Sequence, residues 1–216
     1  MNSCRLCRRD ANAQPWNEPL FQSKNFVVVP SLGALVEGWF LLLPKDHYLC
    51  MGALPQSLLD EMMQLRQTVL SFAEGTYGDI CAFEHGPHQE NRSIGCGVDH
   101  AHLHLVPCSF DLLAAVQPFL PTDTIWKPAT SADCAVAFSE YQDYLYLEQP
   151  IGCGSIARHD EFSGQLFRRA IATRLGVSTD YNWRDFPQIQ NVEATMTRVL
   201  IWNETQRCQT TVTAAA

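Results

Sequence analysis

The chain has 216 residues, enough for one full domain or for one domain with a sizeable appendage. Hydrophobic residues make up 46% and charged residues 18%, the balance of a folded globular protein and not of a disordered one. Lys and Arg total 15 against 23 Asp and Glu, a formal charge of −8, which argues against nucleic acid or an anionic membrane as partner, because both select a basic face.

The first ten residues are polar and carry two cysteines, without the apolar run of a signal peptide. The longest apolar stretches, 26–29 and 39–44, fall far short of the roughly 20 residues of a spanning helix. Nine cysteines, an odd number, read more simply as reduced thiols, some of them metal-bound, than as a disulfide framework. A cytoplasmic protein is expected.

In chain order, Phe26-Val27-Val28-Val29 closed by Pro30 and Trp39-Phe40-Leu41-Leu42-Leu43 closed by Pro44 read as neighbouring buried strands. Between 55 and 73 the apolar spacing changes to the helical period, through Leu58, Met62, Leu65, Val69 and Phe72, opened by Pro55 and closed by Gly75. Strands follow at 79–84 and 101–107, separated by a polar loop containing Gly86, Gly95 and Gly97. This order gives an α+β layer and not a doubly wound sheet. Beyond Pro107 the chain is irregular, with one strand expected at 141–147, helices at 163–175 and 190–200, and a frayed tail. Residues 1–108 are expected to form the catalytic domain and 109–216 a mainly helical extension packed on it.

The chemistry is concentrated in His100-Ala101-His102-Leu103-His104-Leu105-Val106-Pro107. On a strand, alternation puts the three histidines on one face and Ala101, Leu103 and Leu105 on the other. Three imidazoles within two pleats form a site, because imidazole can act as nucleophile, donor or proton carrier near neutral pH.

This segment resembles the His-φ-His-φ-His-φ-φ signature of the histidine triad family, with φ apolar. Upstream, Gly38-Trp39-Phe40-Leu41-Leu42-Leu43-Pro44-Lys45-Asp46-His47 is similar to that family's Gly-His-x-apolar-apolar-x-Pro-Lys-x-His stretch, and Cys4-Arg5-Leu6-Cys7 to the Cys-x-x-Cys of many bacterial members. The likeness spans residues 4 to 108. It implies a five-stranded antiparallel sheet with two helices, usually in a homodimer, that binds nucleotides. It also implies that His102, the middle histidine, attacks the α-phosphorus and carries a nucleotidyl-histidine intermediate, with His104 beside it as a phosphate-oxygen donor or protonation partner. Zinc is implied on Cys4, Cys7, His47 and His100, a closed structural site.

The sequence departs from that pattern at several positions. Trp39 stands where a histidine helps to form the phosphate site, and Ser31 where an Asn or Asp holds the ribose. Gly95-Cys96-Gly97-Val98-Asp99-His100 lacks the usual Gln and hydroxyl, leaving Cys96 and the backbone amide of Gly97 as candidate contacts. Glu84, in Glu84-His85-Gly86, occupies the region of the family's Asn-x-Gly and is a further candidate contact. Arg168 is the candidate phosphate clamp among Arg158, Arg168, Arg169, Arg174 and Arg184.

The expected activity is hydrolysis or nucleotidyl transfer on a nucleoside phosphate ester, anhydride or phosphoramidate, with a nucleotide or phosphorylated metabolite as the small-molecule partner. Alternatives are a phosphorylase or transferase using an acceptor other than water, a non-catalytic nucleotide-binding module, and a metal hydrolase with His100, His102 and His104 as direct ligands.

Overall fold

The computed structural model describes residues 4–7, 14–92, 94–95 and 97–213. Its centre is one antiparallel sheet of eight strands: β1 (Phe21–Gln22), β2 (Phe26–Pro30), β3 (Phe40–Pro44), β4 (Ile80–Gly86), β5 (Leu103–Pro107), β6 (Lys127–Pro128), β7 (Tyr144–Glu148) and β8 (Gly154–Arg158). They lie in the spatial order β1-β2-β3-β5-β4-β7-β8-β6. The sheet is larger than the expected five strands because the C-terminal half adds three of its own to the edge of β4.

Five helices cover it: α1 (Leu59–Tyr77), α2 (Leu112–Val116), α3 (Ser131–Ser139), α4 (Leu166–Arg174) and α5 (Ile189–Thr213). The first runs through Gly75, where the helix was expected to close. It stops at Gly78, which takes a φ of +83° that other residues resist. The nine residues of α3 start from a capping box between Thr130 and Asp133, and α5 extends well past 200. Among the described residues, no helix is long and apolar enough to cross a membrane.

Alternation along the strands gives the sheet two different faces. Phe40, Leu42, Ala82, Leu103 and Leu105 pack against Met62, Leu65, Val69 and Phe72 of α1. Trp39, Phe83, Val106, Leu145 and Leu147 face the other way, against Leu166, Phe167, Ala170 and Ile171 of α4. Phe83 and Phe167 meet at 4.5 Å between ring centroids, and burying an aromatic of this size contributes roughly 1.5–3 kcal/mol.

The chain also traces one path twice. It runs from β3 through α1 to β4 and back along β5, which lies between β3 and β4. It then runs from β6 through α3 to β7 and back along β8, which lies between β6 and β7. The two passages meet where β4 pairs with β7, from Ala82 opposite Glu148 to Gly86 opposite Tyr144.

Candidate functional site

β5 begins at Leu103, two residues later than alternation alone suggests. The ladder with β3 stops where Leu42 faces Leu103, and two residues further along β3 the Pro44 carbonyl is taken by a side chain: His100 Nε2 lies 2.9 Å from Pro44 O. Just past that point the Ala101 amide donates instead to Tyr48 O at 2.7 Å. The three histidines therefore do not share one face. His100 turns away towards the N-terminal cysteines, while His102 and His104 stay together with ring centroids 4.9 Å apart.

A carbonyl only accepts, so the Pro44 contact puts the His100 proton on Nε2 and leaves the Nδ1 lone pair facing the thiols. That nitrogen lies 3.5 Å from Cys4 Sγ and 3.3 Å from Cys7 Sγ, and His47 Nδ1 is 3.3 Å from Cys7 Sγ. The four ligand atoms all fall within 4.8 Å of one another. Sulfur and nitrogen donors on a tetrahedral ion with ordinary bond lengths stand about 3.5 Å apart, so this set fits a metal ion. The second-sphere bond to Pro44 O also orients the His100 ring.

His102 is 7% exposed, and its Nδ1 lies 2.6 Å from the carbonyl of His100. By the same logic Nδ1 carries the proton, and the lone pair sits on Nε2. His104 pairs across the sheet with both Leu41 and Phe83 and stacks on the Phe83 ring at 4.5 Å. Its Nδ1 accepts from the Trp39 indole N–H at 2.9 Å. Indole only donates, so a neutral His104 presents an N–H at Nε2. Burial, followed by the charges of His102, His85 and Arg168, holds the His104 pKa well below the ordinary histidine value. The imidazole is thus a neutral donor.

The other expected residues take up distinct places. Trp39 is fully buried and reaches the site through His104. Arg168 lies over the Trp39 ring at 4.7 Å, donates from Nε to Tyr181 O at 2.9 Å and from Nη2 to Gly33 O. Ser31 is buried at the end of β2, its amide on Trp39 O at 2.9 Å and its hydroxyl 3.4 Å from Leu32 O. Gly97 has φ +75°, and its carbonyl accepts from Arg184 Nη2 at 2.9 Å. Cys96 lies outside the described residues.

Glu84 points to the face opposite His104, as its position next to Phe83 on β4 requires. Its carboxylate accepts from Met51 N at 2.6 Å and from the Tyr144 hydroxyl at 2.5 Å, and burial pushes its pKa up to about 7. It lines a separate cavity with Met51, Leu103 and Cys134. His85 is the residue on the histidine face, 5.1 Å from the Phe167 ring and 6.4 Å from His104. Neither of its ring nitrogens has a hydrogen-bond partner, and burial drives its pKa down to about 3.

His102, His104, Ser31 and Arg168 line one narrow cleft that opens to solvent. One wall is apolar, with Trp16, Val29, Leu32 and Leu41; the rim carries Arg5 and Trp183. Arg158, Arg169 and Arg174 do not join it: Arg158 pairs with Glu140, and the other two lie over Phe119 and Phe110. Arg5 was hidden in the sequence between the two cysteines, and only its seat on Trp183 marks it.

No family model matches the chain, and no curated protein does. Among solved structures it is similar to a HIT family hydrolase from Clostridium thermocellum, at 14% identity over 50% of this chain and 92% of that one, with a TM-score of 0.40. A HIT family protein from Bacillus anthracis is 15% identical over 51% of this chain and 76% of that one, with a TM-score of 0.42. Yeast Ap4A phosphorylase is 16% identical over 70% of this chain and 62% of that one, with a TM-score of 0.43. At these identities and scores, the chemistry has to be argued from the residues of this chain.

Proposed function

We propose that the protein cleaves a nucleoside phosphate ester, anhydride or phosphoramidate through a nucleotidyl intermediate on His102 Nε2. The Nδ1 contact of His102 with the His100 carbonyl carries this reading, because it fixes the tautomer with its lone pair on the outer nitrogen. In the first step Nε2 attacks the α-phosphorus, the bond from phosphorus to the leaving group breaks, and the leaving group departs with its electron pair and takes a proton from solvent. In the second, water or another acceptor attacks the same phosphorus, and His102 leaves as neutral imidazole.

His104 presents its Nε2–H to a phosphoryl oxygen, held in that state by Trp39. A neutral donor next to the nucleophile helps because, unlike an imidazolium, it does not hand a proton to the His102 lone pair. The guanidinium of Arg168, seated behind Trp39, adds a fixed positive field for charge developing on the phosphoryl group. The apolar wall of Val29, Leu32 and Trp16 takes the nucleoside. In this reading residues 1–108 carry the chemistry and residues 109–216 cover it.

The ligands Cys4, Cys7, His47 and His100 would hold zinc, for which two thiolates and two imidazoles are a typical closed set. Bound there, zinc would supply a structural cross-link. This chain's own residues then tie the N-terminal segment to the turn before His102.

The reading is tested by intact mass spectrometry of samples quenched after brief exposure to nucleoside phosphoramidates, dinucleoside polyphosphates and nucleotide sugars. A nucleotidyl adduct is expected on the native protein and none on His102→Ala, whose turnover should fall at least about 1,000-fold. Turnover that persists in His102→Ala overturns the nucleophile assignment. Product analysis with and without added phosphate separates hydrolysis from transfer.

A further inference from the structure

The cleft over His102 is rich in hydrogen-bond donors and poor in acceptors. Arg5, Arg168 and Trp183 line it and can only donate, and neutral His104 presents an N–H at Nε2. The Nε2 lone pair of His102 is committed to phosphorus. Ser31 is 2% exposed and turns its hydroxyl to Leu32 O at 3.4 Å. Among the described residues, no carboxylate lines the cleft. Donors suit phosphoryl oxygens, but a nucleoside brings donors of its own: the ribose hydroxyls and, on most bases, an exocyclic amine. Left without an acceptor, each costs free energy on entering the cleft.

The side chain placed to accept them is Asn17. Pro15 opens a single helical turn, Pro15–Asn17, in which the Asn17 amide donates to Gln14 O at 2.9 Å and the Glu18 amide to Pro15 O at 3.2 Å. The turn packs beside β2 and α5. At three residues per turn, Trp16 and Asn17 project in different directions, and Trp16 is the one that packs against the core of Trp39 and Phe167. Both are half-buried and both line the cleft, so the Asn17 amide stands beside the apolar wall that takes the nucleoside.

A side-chain amide sets an acceptor oxygen next to a donor nitrogen, with capacity for more than one partner. Two neighbouring ribose hydroxyls offer the matching pair, and so do the N6 amine and N7 of adenine. We propose that Asn17 is a specificity-determining residue that binds an adjacent donor and acceptor on the nucleoside, carried by the ribose or by the base. This rests on the nucleotidyl-transfer reading above.

The test uses phosphoramidates with one common amine leaving group, made from adenosine, from 2′,3′-dideoxyadenosine, and from purine riboside, which lacks the N6 amine. With Asn17→Ala, kcat/KM should fall about 10-fold on the adenosine substrate, the scale of one or two neutral hydrogen bonds, and change less than about 3-fold on the analogue that already lacks the contact. A loss spared by the dideoxy analogue assigns the ribose hydroxyls; a loss spared by purine riboside assigns the base. As an arm independent of turnover, calorimetry on His102→Ala should show the same selective weakening among the three nucleoside monophosphates when Asn17→Ala is added. Asn17→Ser replaces Asn17→Ala in both arms if the alanine variant does not keep the native Tm. Equal losses on all three nucleosides, or no loss on any, overturn the proposal. If monophosphate binding weakens selectively but no substrate labels His102, the nucleotidyl-transfer reading fails and the Asn17 contact stands.

Discussion

The two passages of the chain through the sheet, β3-α1-β4-β5 and β6-α3-β7-β8, follow the same path and carry different chemistry. The first has a 19-residue helix and a return strand with His104 on it; the second has a nine-residue helix, and its return strand reads Gly154-Ser155-Ile156-Ala157-Arg158. Among the described residues, the only cluster of metal-ligating side chains belongs to the N-terminal half. What the C-terminal half contributes is cover: Phe167 on Phe83, Arg168 on Trp39, Trp183 over the cleft. On the proposed reading, a repeated topology divides labour, with the reactive groups on one passage and the apolar cover and positive field on the segments following the other.

The most drastic way to break that division is to release the N-terminal segment from the reactive half. Cys7→Ser removes a ligand that lies 3.3 Å from both His47 and His100. It should abolish stoichiometric zinc, measured by elemental analysis. The expected cost is about 3 kcal/mol, or roughly 6–12 °C in Tm for a chain of this size. A native protein purified without metal under zinc-replete conditions, with Tm indifferent to the substitution, would sink the metal assignment.

Local patterns were legible in the sequence, and distant partnerships were not. The Cys-x-x-Cys and strands β2 and β3 are contiguous signals that survive folding nearly as read, and of the histidine run His102 and His104 stay together while His100 turns away. Of the added strands, β7 lies at Tyr144–Glu148 where a strand was expected at 141–147, whereas β1 and β6 are two residues each and β8 opens on Gly154-Ser155, so these three gave no periodic signal. The turn of His100 away from His102 goes with its bond to the Pro44 carbonyl of a neighbouring strand, a fact of pairing and not of alternation. Glu84 and His85 sit side by side in sequence, but strand parity sends the first to the α1 face and the second to the histidine face. The seat of Arg5 is made by Trp183, almost a whole chain away, and no local spacing announces it.

A subtler change sharpens the comparison by deleting one hydrogen-bond donor that the reactive half depends on, together with part of a buried ring. Trp39→Phe keeps an aromatic ring against Phe83 and His104 but deletes the indole N–H that His104 Nδ1 accepts. A buried acceptor left unpaired costs about 1–3 kcal/mol, and the His104 proton is then no longer fixed on Nε2. The expected outcome is a roughly 10-fold loss in kcat with KM nearly constant, since the donor acts on developing charge. Unchanged kcat would show that the tautomer of His104 does not matter to the reaction.

The smallest expected effect concerns the contact between cover and reactive half at His85, and its sign depends on pH. Because the folded pKa of His85 is driven down to about 3 while an unfolded histidine titrates near 6.5, the unfolded chain takes up the proton first. Its stabilising contribution is complete above about pH 6.5 and is lost as pH falls towards 3. Glu84 works in the opposite direction: with its folded pKa raised to about 7, stability falls as pH rises from about 4.5 to 7. The two trends partly cancel in the native protein, which is why the substitution and not the bare pH profile is informative. His85→Phe removes one of them and also two ring nitrogens that lack partners. At pH 8 the variant should match the native protein within about 1 kcal/mol, since relief of unpaired polar atoms offsets the slightly larger ring. At pH 5 it should gain about 2 kcal/mol more, from 1.5 pH units at about 1.4 kcal/mol each. Urea unfolding at the two pH values measures the difference directly. A gain that is the same at both would mean that His85 takes up its proton in the folded state, and that the cover supplied by Phe167 does not exclude water from this side of the histidine face.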